Sequence, residues 1–265
     1  MADVETGNLR VKVFARSFDL KLYRLSKGLY EGMGYPCVRL TDQSADGYFY
    51  TMLKDLDCDI AINVDEDAFV TDPEAVKALV KKVAAEGWAN AGFPEKRSDG
   101  DSAVTNPFFN VLNLKLIRSK FDRSKMVSRL DDIEPYYPFF RWMAEELPIL
   151  YLPYETHADG ISSVARDEQG HMLCMHTWYA RFYSMPTWMV RHFQPTYGKQ
   201  KERIDGIIRE AYLLRGLPLP QFGPLDKLAF LGNKIIRWVI KVPQRVSRWP
   251  WKIRRAIRRK RAAKA

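Results

Sequence analysis

The segment Cys58–Val64, CDIAINV, runs directly into three consecutive acids, Asp65-Glu66-Asp67, and this junction constrains the chain more than any other. A short apolar run rich in β-branched residues and bounded by charge reads as a strand buried on both faces, which requires layers above and below it. Asp72-Pro73-Glu74 then open a helix to about Glu86, with Asp72 as N-cap and Pro73 at the first helical position. The same alternation precedes it. Val11–Phe14 is a strand, Leu20–Met33 a helix stopped at Gly34, Cys37–Leu40 a strand and Gly47–Leu56 a helix. Further on, Trp88–Phe93 and Phe108–Leu114 read as strands around a polar loop, 136–147 as a helix, and Ile149–Leu152 and His171–His176 as strands. Strands alternating with helices predict an α/β fold with a mainly parallel sheet and helices on both faces.

Composition bears on the question through charge. The chain has 265 residues, 46% hydrophobic and 28% charged, which excludes disordered, collagenous and coiled-coil classes. Its net charge of +10 suggests a nucleic-acid binder, but all 32 acids lie at or before Asp226. From Lys227 onward, 39 residues carry 14 of the 42 Lys and Arg and no acid. The body is therefore mildly acidic and the basicity belongs to a tail. We place the boundary at the Pro-rich LPLPQFGP, giving a body of residues 1–217 and an extension of residues 218–265. The extension carries two apolar stripes, Leu228, Leu231, Ile235, Trp238, Val239 and Val242, then, after Pro243, Trp249, Ile253, Ala256 and Ile257. Cys37, Cys58 and Cys174 offer no CxxC spacing, so neither a zinc knuckle nor a disulfide framework is expected. The first residues lack an apolar signal-peptide core and no window approaches 18 apolar residues, so a cytoplasmic location without a transmembrane helix is expected.

In open α/β sheets, ligands bind beyond the carboxyl ends of the strands. A buried strand that delivers Asp65 and Asp67 there offers oxygen ligands to a hard divalent cation, magnesium or manganese. The competing reading is a solvated acidic turn. Glu66 alternates to the other side, as a structural group or a substrate contact. A second polar cluster comprises His157, Asp159, His171, His176 and Arg181. His176 ends the apolar run Met172–Met175 and either completes the carboxylate shell or sits in the core bonded to backbone. Arg181 either clamps a phosphate or stacks on neighbouring aromatics.

A strand ending in D-x-D, a later F-N-V-x-N strand (Phe109–Asn113) and a late strand ending in His together resemble nucleotide-sugar-dependent glycosyltransferases of the GT-A fold, over roughly residues 9–195. The resemblance implies a GT-A-like (Rossmann-like) mixed, mainly parallel sheet flanked by helices, here with a basic amphipathic helical C-terminal extension. It implies that Asp65, Asp67 and His176 hold a metal bridging the donor diphosphate, with Asp67 the direct ligand and Asp65 nearer the ribose. Asn106 and Asn110 would line the sugar site, and Phe14 and Arg16 would lie near the nucleotide. A uridine diphosphate sugar is the commonest donor of that fold. Neither the H-x-x-G-x-x-K ending of glycogenin-like enzymes nor the W-G-x-E-D motif of galactosyltransferase-like enzymes is present, which leaves subfamily and stereochemistry open.

If the anomeric centre inverts, the attacking hydroxyl needs a base. Asp159 in HADG is the first candidate and Asp101 the second, each also readable as a turn-forming residue. The tail reads best as a membrane-surface anchor, because tryptophans and apolar stripes accompany the charge. That pairing points to a glycan or lipid-linked acceptor at the cytoplasmic membrane face, in cell-surface polysaccharide biosynthesis. Two alternatives are a haloacid-dehalogenase-like phosphatase, which places D-x-D after its first strand, and a nucleic-acid-binding protein acting through the tail.

Overall fold

The computed structural model describes residues 9–41, 46–95, 104–129, 132, 134–180, 183 and 197–247. The first strand, β1 (Val11–Arg16), leads into α1 (Leu20–Tyr30), and β2 (Cys37–Leu40) into α2 (Gly47–Lys54). The acidic junction follows β3 (Ile60–Asp65), after which β4 (Ala68–Val70) and α3 (Pro73–Glu86) continue the chain. Next come β5 (Asn90–Pro94), β6 (Thr105–Asn113), α4 (Leu114–Lys120), α5 (Tyr137–Glu146) and β7 (Ile149–Tyr151). The strands β8 (Tyr154–Thr156), β9 (Ser163–Arg166) and β10 (Met172–His176) precede α6 (Tyr197–Leu214) and α7 (Pro224–Ser247).

Six strands form one sheet in the order β2-β1-β3-β6-β5-β7. Three of its five pairings are parallel, and β6 runs antiparallel to both neighbours. Alternation along each strand feeds two cores. Val13, Ala15, Ile62 and Val64 face α1 and α3, while Phe14 and Ala61 face α2, α4 and α5. The α3 boundaries agree with the sequence expectation: the Asp72 carboxylate caps the Ala75 amide at 2.9 Å, and Gly87 ends the helix in the left-handed region. Cys37, Cys58 and Cys174 are free thiols.

A second, antiparallel sheet, β4-β10-β9-β8, goes beyond the sequence expectation. Its joint with the first sheet is the acidic turn itself, because β3 ends at Asp65 and β4 begins at Ala68. Between β5 and β6, Gly92 pairs with Asn110 but Phe93 pairs with Asn106, so Pro107–Phe109 form a wide bulge in β6. A side chain at position 92 would collide with Asn110 Nδ2, which is why glycine stands there.

The chain divides into two compact units, Met1–Pro220 and Gln221–Ala265. In the second, α7 runs 24 residues, straight through Pro243, where the sequence predicts a break. One missing N–H weakens a helix of that length without ending it. The described part of α7 exposes Leu225, Leu228, Leu231, Ile235, Ile236 and Val239. Among the described residues, no helix is long and apolar enough to cross a membrane.

Candidate metal centre

Register explains the site. β10 pairs antiparallel with β4, His176 opposite Ala68, so the strand that ends in histidine finishes beside the residue before Ala68, which is Asp67. Ligand atoms of Asp65, Asp67 and His176 all lie within 4.8 Å of one another. Asp67 and His176 are buried, with His176 Nε2 at 3.3 Å from Asp67 Oδ1. Burial opposes ionisation of Asp67, but the imidazole beside it outweighs that penalty and holds the carboxyl below its usual range. Thr177 fastens the backbone, its amide donating to the Asp67 carbonyl at 3.0 Å.

The imidazole is sandwiched. Phe108 from the β6 bulge stacks on it at 4.4 Å and 2°, and Trp178 meets it edge-on at 4.3 Å. Buried asparagines hold that bulge: Asn63 Nδ2 donates to the Pro107 carbonyl at 2.6 Å, and the Phe108 amide donates to Asn106 Oδ1 at 3.2 Å. His176 Nδ1 is buried without a hydrogen-bond partner among the described residues. Buried polar atoms left unpaired in this way are uncommon and accumulate at functional sites.

Each acid of the D-E-D run has a different environment. Asp65 is gripped by Arg16, Nε and Nη2 donating to its two oxygens at 2.5 and 2.6 Å. Each oxygen keeps a lone pair, so the residue can still ligate or accept from a hydroxyl. Glu66 turns the other way: its Oε2 accepts from Ser17 Oγ and from the Phe18 and Asp19 amides at 3.0, 2.7 and 2.6 Å. Burial, and then the charge of Asp19, push its carboxyl up to about 8. Glu66 is therefore structural, and it occupies the amides before α1 that would otherwise receive an anion.

Several sequence candidates are placed elsewhere. Phe14 is 1% exposed in the core against α2, so it cannot touch a nucleotide. Asn110 is fully buried behind the bulge and accepts from Asn63 Nδ2 at 3.4 Å, supporting the sheet without lining a cleft. Asn106, also buried, donates to Glu95 at 3.1 Å and steadies the bulge. Asp159 is consumed by its turn. Its oxygens accept from the Ile161 and Ser162 amides, from Ser162 Oγ and from Arg203 at 2.9, 2.7, 2.6 and 3.2 Å. Burial opposes ionisation there too, but the donors of Ser162, Ile161 and Arg203 take its pKa down to about 2. So weak a base is poorly matched to removing a hydroxyl proton near neutral pH. His171 pairs with Asp167 at 2.8 Å. Asp101 and Arg181 lie outside the described residues.

The structure adds an acid that the sequence expectation omits. Glu95 is buried at the same sheet edge as Asp65, directly after β5, and its Oε2 accepts from Asn106 and from the Tyr136 hydroxyl at 3.1 Å each. A local signal for it exists, since it ends an apolar strand as Asp65 does, but its polar neighbours on the carboxyl side mask that signal as loop.

No protein-family model matches the chain, and no curated protein matches it. Among solved structures, the mannosyltransferase PcManGT from Pyrobaculum calidifontis, in complex with GDP-Man and Mn2+, is 11% identical over 95% of this chain and 87% of that one, at a TM-score of 0.42. A cytidylyltransferase from Leptospira borgpetersenii is 12% identical over 82% of this chain and 99% of that one, at 0.41. A glycosyltransferase involved in the glycosylation of the major capsid of PBCV-1 is 11% identical over 53% and 80%, at 0.36. These likenesses are distant, and the weight falls on the strand order and the site geometry of the chain itself.

Proposed function

We propose that this chain is a metal-dependent glycosyltransferase that moves a sugar from a nucleoside-diphosphate donor to a glycan or lipid-linked acceptor at a membrane surface. The convergence of Asp65, Asp67 and His176 at the carboxyl edge of the six-stranded sheet carries this reading. Two carboxylates and one imidazole suit manganese or magnesium, and the motif order along the chain resembles the GT-A enzymes. A divalent cation held there supplies charge neutralisation on the leaving diphosphate. The chain's own groups do the rest. Arg16 fixes the direction of the Asp65 carboxylate. Glu66 already fills the amides before α1, so the donor phosphates are not seated on that helix as in a dinucleotide fold. With Asp159 consumed by its turn, we take Glu95, which shares the sheet edge of Asp65, as the first candidate base and Asp101 as the second. The phosphatase alternative places D-x-D after its first strand, whereas here the pair follows β3, the third strand of the chain.

The membrane role rests on the exposed apolar side chains in the described part of α7, together with the 14 basic residues and no acid that the sequence carries from Lys227 onward. Polybasic segments gain about 1 kcal/mol per cation near an anionic leaflet. An acceptor on a lipid carrier in cell-surface polysaccharide synthesis fits such an anchor.

The test is a thermal-shift panel of nucleoside diphosphates and their sugars, uridine first, with and without manganese, since ligands of the native state raise its apparent stability. A manganese-dependent shift for one nucleotide, lost in Asp67→Asn, is expected. No shift with any nucleotide would leave the Asp67–His176 pair as a buried structural contact. Removing residues 221–265 should abolish cosedimentation with phosphatidylserine vesicles. Undiminished binding would move the anchor elsewhere, and RNA binding that anionic lipid fails to displace would favour the nucleic-acid alternative.

A further inference from the structure

Immediately after His176 the backbone does something costly. Trp178 and Tyr179 have φ of 56° and 61°, two consecutive non-glycine residues in the left-handed region. Large side chains adopt that conformation only when their surroundings impose it. One side chain holds two carbonyls of that turn. Arg203, from α6, lies with its guanidinium under the turn, and Nη2 donates to the Thr177 carbonyl at 2.6 Å and the Trp178 carbonyl at 3.3 Å. Its Nη1 donates to Ser162 Oγ at 2.5 Å and Asp159 Oδ2 at 3.2 Å, and its Nε to Gln200 at 2.8 Å. All three nitrogens are engaged, on a side chain only 10% exposed.

The turn so held has two consequences for the candidate metal centre. Trp178 is brought back over the His176 ring, with its indole N–H donating to Ser163 Oγ at 2.9 Å. Thr177, whose carbonyl Arg203 holds, donates its amide to the carbonyl of Asp67. The guanidinium therefore reaches both ligands through one residue: His176 by covalent continuity and Asp67 by hydrogen bond.

We propose that Arg203 is a positioning residue for the Asp67–His176 pair, its guanidinium fixing the left-handed turn that sets where both ligand atoms lie; this rests on the metal reading of the site. Asp159, with Ser162, orients that guanidinium and so acts on the site at one remove.

The test is manganese binding, followed by loss of the free-ion electron paramagnetic resonance signal, in wild type, Asp67→Asn, Arg203→Lys and Arg203→Met. Outer-shell partners of metal ligands typically change affinity 10–100-fold. Arg203→Met is expected to weaken binding at least about tenfold, and Arg203→Lys to fall between it and wild type, keeping the charge but not the fork. Tyr212→Phe serves as a stability control, because it removes a bond from α6 to the Leu25 carbonyl without touching the turn. Its melting temperature should fall while its manganese affinity stays that of wild type. Equal weakening in Tyr212→Phe and Arg203→Met would overturn the proposal, since general loosening would then explain both. Wild-type affinity in Arg203→Met overturns it and leaves the metal reading standing. If Arg203→Met does not fold, wild-type affinity in Arg203→Lys does the same. A wild type that binds manganese no better than Asp67→Asn overturns the metal reading and the proposal together.

Discussion

The turn after β3 and the turn after β8 both present an aspartate that is ionised more readily than usual, yet they have opposite characters. Asp159 meets four donors from its own turn and from α6, and every strong acceptor direction is used. Asp67 is more deeply buried and has fewer partners: the His176 imidazole at 3.3 Å and the Thr177 hydroxyl at 3.4 Å. A saturated carboxylate is a structural element, because its hydrogen bonds are worth most when nothing else competes for them. An under-coordinated carboxylate beside an imidazole with a nitrogen unpaired among the described residues keeps capacity for a ligand, and its burial makes that capacity costly unless a ligand uses it. The sequence shows two polar turns; donor count separates them.

Replacing Asp67 is the sharpest way to break the contrast. Asp67→Asn should lower turnover by at least about 100-fold and remove manganese binding. The melting temperature should fall while the fold survives, because removing one member of a buried pair leaves His176 without its charged partner. An active, metal-binding Asp67→Asn would mean that this carboxylate is as structural as Asp159. The converse replacement comes next. Asp159→Asn turns an amide N–H toward donors that now lack an acceptor, and should cost about 2 kcal/mol of stability. Turnover, assayed below the melting transition, should fall less than about tenfold, the part transmitted through Arg203. A stable but inactive Asp159→Asn would restore it as the base, and Glu95 would be left with the bulge alone.

One turn is legible in the sequence and the other misleads, and the reason is range. The β3 strand, its acidic end and α3 follow from local signals: an apolar run, a cap and a proline at the first helical position. The spacing of Asp65 and Asp67 after a buried strand is visible for the same reason. The second sheet is not. Its strands β4 and β8 are three residues long, too short for alternation to register, and β4 exists because β10 pairs with it from more than 100 residues away. Arg203 lies in α6, whose helical spacing at Ile204, Ile207, Ile208 and Ala211 is present in the sequence, but no local pattern says that its guanidinium meets Thr177. Phe14 is near a strand end, which suggests the nucleotide, but alternation sends it into the core opposite Ala15. Asn110 misleads because a buried asparagine holding a bulge has the same sequence signature as one lining a cleft.

The mildest change measures the saturation directly. Ser162→Ala deletes one donor to Asp159 and one acceptor for Arg203, leaving the two backbone amides in place. The loss should be about 1 kcal/mol at neutral pH, with manganese affinity within about twofold of wild type. The pH dependence carries the stronger test. The Asp159 pKa is depressed in the folded state, to about 2, so its contribution to stability is complete above the ordinary aspartate value and disappears as pH falls toward 2. With the hydroxyl gone, the folded-state pKa moves back up toward that ordinary value. The variant therefore has less of this stability to lose, and loses the remainder at higher pH. Acid-unfolding curves of wild type and Ser162→Ala should accordingly differ most at neutral pH and converge as pH approaches 2. Parallel curves over the whole range would mean that the serine contributes packing alone, and that the carboxylate of the β8–β9 turn owes its low pKa to the amides and Arg203.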